Sequence, residues 1–190
     1  MVYSAGVLPY AIVHGNVYLL LGMDRRDGSW SDFGGRSENG DMQDPRKTAA
    51  REFYEESSGC VMTHPSICAS ISHIKPWKSL TIGKNDYYMF PMRIPYNDVI
   101  PEHFHLFASL ASYAKIHKKF SEKTKVAWFS AERVMNTLLR ETDLKLRFVF
   151  ADTLQRNLEQ FKQFSQVIVH GNKGVRSGRL QGEPPEEPSH

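Results

Sequence analysis

The sequence is poor in the features that would settle its class at once. It has two cysteines in 190 residues, Cys60 and Cys68. That is too few for a disulfide framework or a four-thiolate metal site, and two ordinary thiols in a reducing compartment are the plain expectation. Long apolar runs are missing: the longest strongly apolar stretch, Val17 to Leu21, is far too short to cross a bilayer. The chain opens Met1-Val2-Tyr3-Ser4 with no basic segment leading into an apolar one, so no secretory signal is expected. Charge bias is weak as well, since a net charge of +3 decides nothing about partners by itself. No internal repeat is present. These absences lead us to expect a cytoplasmic or nuclear protein with no membrane attachment. What is there, 41% hydrophobic and 24% charged residues, suits one well-buried domain and excludes a disordered or fibrous chain.

Residues 2–13 are β-prone, His14-Gly15-Asn16 is a turn signal, and Val17 to Leu21 predicts the second strand of a hairpin. A polar stretch from Gly22 to Asp44 follows, with glycines at 28, 34, 35 and 40. Asp44-Pro45 reads as a helix start, Asp as N-cap and Pro at the first helical position. The helix should run to about Ser57 and stop at Ser58-Gly59 in a left-handed cap. Strands are expected at Ser66 to Ile74, Asp86 to Ile94 and Thr124 to Phe129, with Pro76 and Gly83 splitting the first two. Ser130 can cap a short helix with Val134, Met135, Leu138 and Leu139 on its apolar side. Leu144, Phe148, Ala151, Leu154, Leu158 and Phe161 recur at helical spacing and predict one long helix. From Gly171 the composition turns to Gly, Pro, Glu and Ser and ends PPEEPSH, a disordered tail by its residues. The mixture predicts an α+β or α/β sandwich.

The most informative residues are Arg51-Glu52-Phe53-Tyr54-Glu55-Glu56. On a helix, Glu52, Glu55 and Glu56 lie at i, i+3 and i+4 and share one face. Like charges at that spacing cost about 0.2–0.5 kcal/mol per pair, and anions near a helix C-terminus oppose the macrodipole. Arg51 can pair with Glu55 but does not neutralise three acids. Either the face is solvated, with Arg46, Lys47 and Arg51 nearby, or a divalent cation compensates it. Carboxylate oxygens are hard donors that suit Mg²⁺ or Mn²⁺. Just upstream, Gly34, Gly35 and Gly40 let the backbone turn sharply and approach a ligand. Exposed N–H groups and Arg36 could there meet phosphate oxygens.

The stretch from Gly35 to Cys60 resembles the signature of the Nudix hydrolase superfamily, G-x5-E-x7-R-E-U-x-E-E-x-G-U. Here it reads Gly35, RSENG, Asp41, nine residues, REFYEE, Ser57-Ser58 and Gly59-Cys60. Asp41 stands for the motif glutamate, the inner spacer is longer, a second serine precedes Gly59, and Phe33 takes the place often held by proline. The resemblance implies an α/β/α sandwich with a mixed β-sheet over residues 1–168, with 169–190 as the tail. It also implies hydrolysis of a diphosphate linkage in a nucleoside diphosphate derivative, a dinucleotide or the 5′ cap of RNA among them. Diphosphoinositol polyphosphates are an alternative substrate, and a catalytically weak ligand- or RNA-binding module is an alternative role. By position match, Glu52, Glu55, Glu56 and Asp41 would bind Mg²⁺ or Mn²⁺, Glu52 and Glu56 as the main ligands. Glu55, Glu56 and Arg51 would be the catalytic group, with Arg51 orienting the carboxylates. Gly34, Gly35, Arg36 and Arg26 would face substrate. The general base would come from the motif helix or a later loop, where Glu102, Glu122 and Glu141 are candidates.

Five lysines against one glutamate over residues 114–125, and Lys75, Lys78 and Lys84 around Trp77, suit either a solvated surface or a polyanion with a stackable base, such as capped RNA. Tyr87, Tyr88 and Trp128 read as core or as base-stacking residues, Trp128 better as core. His103-x-His105 lacks a third ligand at convincing spacing and reads as two loop histidines.

Overall fold

The computed structural model describes residues 3–80, 85–113, 120, 122–140 and 144–166. The hairpin forms as the sequence predicts: β1 (Ser4–Val13) and β2 (Asn16–Asp24) pair antiparallel with Val13 opposite Asn16. The two-residue turn puts His14 and Gly15 at φ 49° and 84°, the mirror-image geometry that matches strand twist. Along both strands the apolar residues split by parity. Ala5, Val7, Ala11, Tyr18 and Leu20 enter one core, while Leu8, Val17, Leu19 and Leu21 enter another. A sheet apolar on both faces must be covered on both.

β3 (Trp30–Ser31) pairs with β2, and β4 (Phe33–Arg36) runs antiparallel to β1 with Gly34 opposite Gly6. A 3-10 turn at Asn39–Asp41 leads into α1 (Pro45–Glu56), whose N-cap Asp44 accepts from the Arg46 N–H. α1 ends through Ser58 and Gly59, both left-handed at φ 55° and 67°, so the second serine of the motif is accommodated in the C-terminal turn. Then come α2 (His64–Ile71), β5 (Trp77–Leu80), β6 (Asp86–Arg93) and α3 (Ile100–Tyr113). β7 (Lys123–Ser130), α4 (Ala131–Arg140), α5 (Phe148–Arg156) and α6 (Leu158–Gln166) complete the described chain. β6 runs parallel to β1, and the other pairings are antiparallel, giving a mixed seven-stranded sheet. Ala49, Ala50 and Phe53 of α1, Ile67 and Ile71 of α2 and Phe104 of α3 pack on one face. Val134, Phe150, Leu154 and Phe161 from α4, α5 and α6 pack on the other. The expected α/β/α sandwich with a mixed sheet is therefore present.

Four local expectations change. Ser66 to Ile74 is not a strand: Pro65 in the first turn starts α2, and Ile67 and Ile71, one turn apart, are its buried residues. His103 and His105 lie on α3, not in a loop. Leu139 faces outward, 56% exposed. The long C-terminal helix is two, because Asn157 breaks it and sends its Nδ2 to the carbonyls of Thr153 and Lys78 at 2.8 and 3.0 Å. No helix among the described residues is long and apolar enough to cross a membrane. Lys84, Lys115, Lys118, Lys119, Glu141 and the expected 169–190 tail lie outside the described residues.

Candidate active site

β4 and α1 build the site together. Gly34 donates its N–H to Glu56 Oε2 at 2.8 Å, tying the end of the helix to the strand. A Cβ on Gly34 would lie 2.7 Å from the Gly6 Cα and 2.8 Å from the Ala5 carbonyl, so the backbone itself forbids a side chain there. At Gly35 a Cβ would lie 2.6 Å from the Glu52 carboxyl carbon. Glycine thus cradles a carboxylate, and the adjoining glycine keeps two strands in contact. Alanine at 34 is expected to cost the fold. Alanine at 35 pushes only the flexible end of Glu52 and should lower activity roughly 10²-fold at an unchanged melting temperature, since a shift of about 1 Å in a reacting group costs that much. Parallel melting curves and turnover rates of the two variants check this.

Arg51 is the hub of the exposed side of the site. Its Nη1 donates to Glu52 Oε1 at 2.8 Å and Glu55 Oε2 at 3.1 Å, with Glu38 Oε1 at 3.8 Å. Its Nε and Nη2 donate to both oxygens of Asp41 at 3.2 and 3.1 Å, and Nη2 also reaches the Arg36 carbonyl. These bonds and the surrounding carboxylates outweigh its burial and raise its pKa further. Asp41 is fully engaged: it also accepts from the Glu38 N–H and the Thr48 hydroxyl, both at 2.8 Å. Burial alone would push its pKa up, but the bonds from Arg51, Glu38 and Thr48 hold it below the usual carboxylate range. The sequence brings Glu38 and Asp41 together through a capping box around the 3-10 turn.

Burial raises the Glu52 pKa to about 7, with Arg51 pulling against it and Glu55 and Glu122 adding to it. Glu56 is 3% exposed. Burial pushes its pKa up, opposed by Lys123 and the Gly34 N–H. Beneath it Tyr87 donates to Asp32 Oδ2 at 2.6 Å, and burial lifts the Asp32 pKa from 3.8 to about 6. A pKa raised on folding gives stability that is complete below pH 4 and lost as pH climbs through 6. The shift amounts to about 3 kcal/mol. Asp32→Asn, which keeps an acceptor for Tyr87, should match the parent in urea midpoint at pH 4 and exceed it at pH 7.5. Parallel midpoints across that range would contradict the assignment.

The remaining expected site residues fall around this centre. Arg26 is exposed and lies 4.0 Å from Glu122, whose charge adds to the rise of the Glu52 pKa. Arg36 ends β4 with its side chain exposed. Of the loop acids, Glu122 is beside the site, whereas Glu102 sits on α3. Trp77 packs on Phe161 and Phe164 in the opposite core, and Trp128 is core, with its Nε1 donating to the Asn97 carbonyl. Tyr87 is buried, and Lys78 lies over the Tyr88 ring. Sequence reasoning missed Lys123, which it counted among the lysines of a solvated or polyanion-binding stretch and which is buried against Glu56 at 3.6 Å.

A hard divalent cation fits this donor set by its chemistry. The site offers oxygen donors, Glu52 and Glu55 already converge on one cationic nitrogen, and five acids (Glu38, Asp41, Glu52, Glu55 and Glu56) meet two cations. Among the described residues no three His, Cys, Asp or Glu side chains form a ready-made cage, and Glu52 and Glu55 both face Arg51.

No family model and no curated protein matches this sequence. Solved structures do match in shape. The binary complex of a C. elegans Ap4A hydrolase is 14% identical, covering 87% of this chain and 98% of that one at a TM-score of 0.50. NrtR of Shewanella oneidensis, a protein with a NUDIX domain, is 11% identical, covering 88% and 69% at 0.50. The C-terminal domain of mouse MUTYH, in its complex with human PCNA, is 11% identical, covering 84% and 89% at 0.50. With the glutamate-rich helix packed against a Gly-Gly strand, and this agreement over most of the chain, the fold is the Nudix fold.

Proposed function

We propose that the chain is a divalent-cation-dependent hydrolase of a diphosphate linkage in a nucleoside diphosphate derivative. The observation that carries this reading is the convergence of Glu52 and Glu55 beside Gly35, where the backbone comes close enough to cradle a carboxylate. Glu52 and Glu55 would hold the cation, Mg²⁺ or Mn²⁺. Bound there, it would neutralise diphosphate oxygens and acidify a water. Glu56, fixed to Gly34, locks helix to strand at the edge of the site. Arg51 is a positioning residue, and Asp41 holds Arg51 in place. Arg36 and Arg26, both exposed, would meet the outer phosphates.

With one oxygen of Glu52 turned from Arg51 to the cation, the other would be left to accept a proton. This carboxylate would remove a proton from the attacking water. The water oxygen bonds to phosphorus, the bridging P–O bond breaks, and the leaving phosphate departs as an anion. Glu122, whose charge acts on Glu52, would be the second candidate for that role.

A panel of ADP-ribose, NADH, diadenosine polyphosphates, nucleoside triphosphates, diphosphoinositols and capped RNA, run with Mn²⁺ and with EDTA, tests the reading. Mn²⁺-dependent release of a nucleoside mono- or diphosphate from at least one nucleotide substrate supports it. Cleavage of diphosphoinositols alone moves the substrate class, and binding without cleavage of any compound contradicts it. The second reading, a binding module on the same fold, is favoured by one observation: Arg51 and Lys123 already hold all three α1 carboxylates.

A further inference from the structure

Lys123, the first residue of β7, has a side chain 0% exposed. The fold makes room for it. Gly22 lies beside it on β2, and a Cβ there would sit 3.0 and 3.1 Å from Lys123 Cδ and Cγ, so the missing side chain is the slot for the lysine stem. At the end of that slot the ammonium donates to Ser31 Oγ at 2.8 Å, and the Ser31 hydroxyl donates in turn to the Asp32 carbonyl at 2.8 Å. The ammonium faces Glu56 Oε1 at 3.6 Å, while Glu56 Oε2 is held by Gly34. An ammonium buried this deeply is tolerated only against an opposite charge, and Glu56 supplies it.

The two cations of the site divide the work. Arg51 pairs with Glu52, Glu55, Asp41 and Glu38 from the more exposed side. Lys123 pairs with Glu56 from the sheet side. Glu56 is thus paired with a fully buried cation on the sheet side, while Glu52 and Glu55 share Arg51 on the partly exposed side of the site.

We propose that Lys123 is an internal counter-cation that takes the place of a metal ion on Glu56, so that the divalent ion of the proposed site is held by Glu52 and Glu55 and is bound weakly. The inference rests on the cation-binding reading above. A fixed positive charge a few ångströms from a dication opposes its binding, and removing that charge while releasing a buried carboxylate should reverse the effect.

Calorimetric titration of Mn²⁺ into the full chain, with melting curves in the presence and absence of Mn²⁺, tests this. Lys123→Met should bind Mn²⁺ at least tenfold more tightly than the parent and show a larger Mn²⁺-dependent rise in melting temperature. The pair K123M/E56Q, in which the released carboxylate is gone, should return to the parent's affinity. If Lys123→Met aggregates without metal, Mn²⁺ in the buffer should yield folded protein; aggregation in both buffers overturns the proposal. Equal or weaker Mn²⁺ binding by Lys123→Met, with parent binding intact and lost in Glu52→Gln, also overturns it and leaves the cation site standing. Absence of Mn²⁺ binding in parent and variant alike sinks both readings, whereas binding by the variant alone supports the counter-cation.

Discussion

Glu52→Gln should lower Mn²⁺-dependent turnover by about 10²–10⁴-fold, the range expected when a positioned proton acceptor is lost, with little change in melting temperature. Glutamine keeps the length of the side chain and an oxygen for Arg51 Nη1, which now bonds Glu52 Oε1 at 2.8 Å. It therefore leaves the Gly35 cradle filled while removing the charge and the proton-accepting oxygen. Burial argues for stability at neutral pH as well. A carboxyl with a pKa near 7 gains nothing from being charged in the folded state, so its amide should fold at least as well. Glu55→Gln should weaken Mn²⁺ binding more than it slows turnover at saturating Mn²⁺, because Glu55 would hold the ion without also taking the proton. Steady-state rates over a Mn²⁺ series separate the two effects, and near-parental turnover in Glu52→Gln would remove it from the chemistry.

The other large effect belongs to Arg51, and it falls on the fold. Its guanidinium is the hydrogen-bond partner of Asp41, Glu52 and Glu55 together. Replacement by methionine leaves Asp41, 4% exposed, with a charge and no cation. Removing one partner of a largely buried ion pair costs about 3–5 kcal/mol, which lowers the melting temperature by something on the order of 10 °C in a chain of this size. Lysine is a poor rescue, since one ammonium cannot present the fork that bonds both Asp41 oxygens and two glutamates at once. Acid offers a partial rescue instead. Asp41 has a lowered pKa in the parent, so the Arg51 contribution is present above the ordinary carboxylate pKa and fades as pH falls through the lowered one. Thermal melts of parent and Arg51→Met should therefore converge toward pH 3. A gap that stays constant down to that pH would assign the loss to packing.

Local signals explain what could be read ahead of the structure. Asp44-Pro45 marks the start of α1 because an N-cap and a first-turn proline act within three residues of chain. The hairpin was visible for the same reason, since its turn needs only His14 and Gly15. α2 was misread because ICASI is a short apolar run, equally suited to strand or helix, and Pro65 was the signal that decides. The break at Asn157 was invisible: apolar spacing continues from Leu154 to Leu158 and Phe161, and the side chain that splits the helix is held by a carbonyl on β5.

The same division runs through the site. That Glu52, Glu55 and Glu56 share a helix face follows from their spacing alone. Which of them is buried does not, and the structure gives Glu56 to the interior and leaves the other two beside Arg51. Lys123 reads as one more lysine in a basic stretch, because its burial depends on the gap left by Gly22, a hundred residues earlier in the chain.

Crystals soaked in manganese and measured at its absorption edge test the central claim most directly. The account predicts an anomalous peak between the carboxylates of Glu52 and Glu55, with Arg51 Nη1 displaced from both and Glu56 still joined to Lys123 and Gly34. A map without a peak there, with Arg51 still bridging the two glutamates at full manganese saturation, would contradict it.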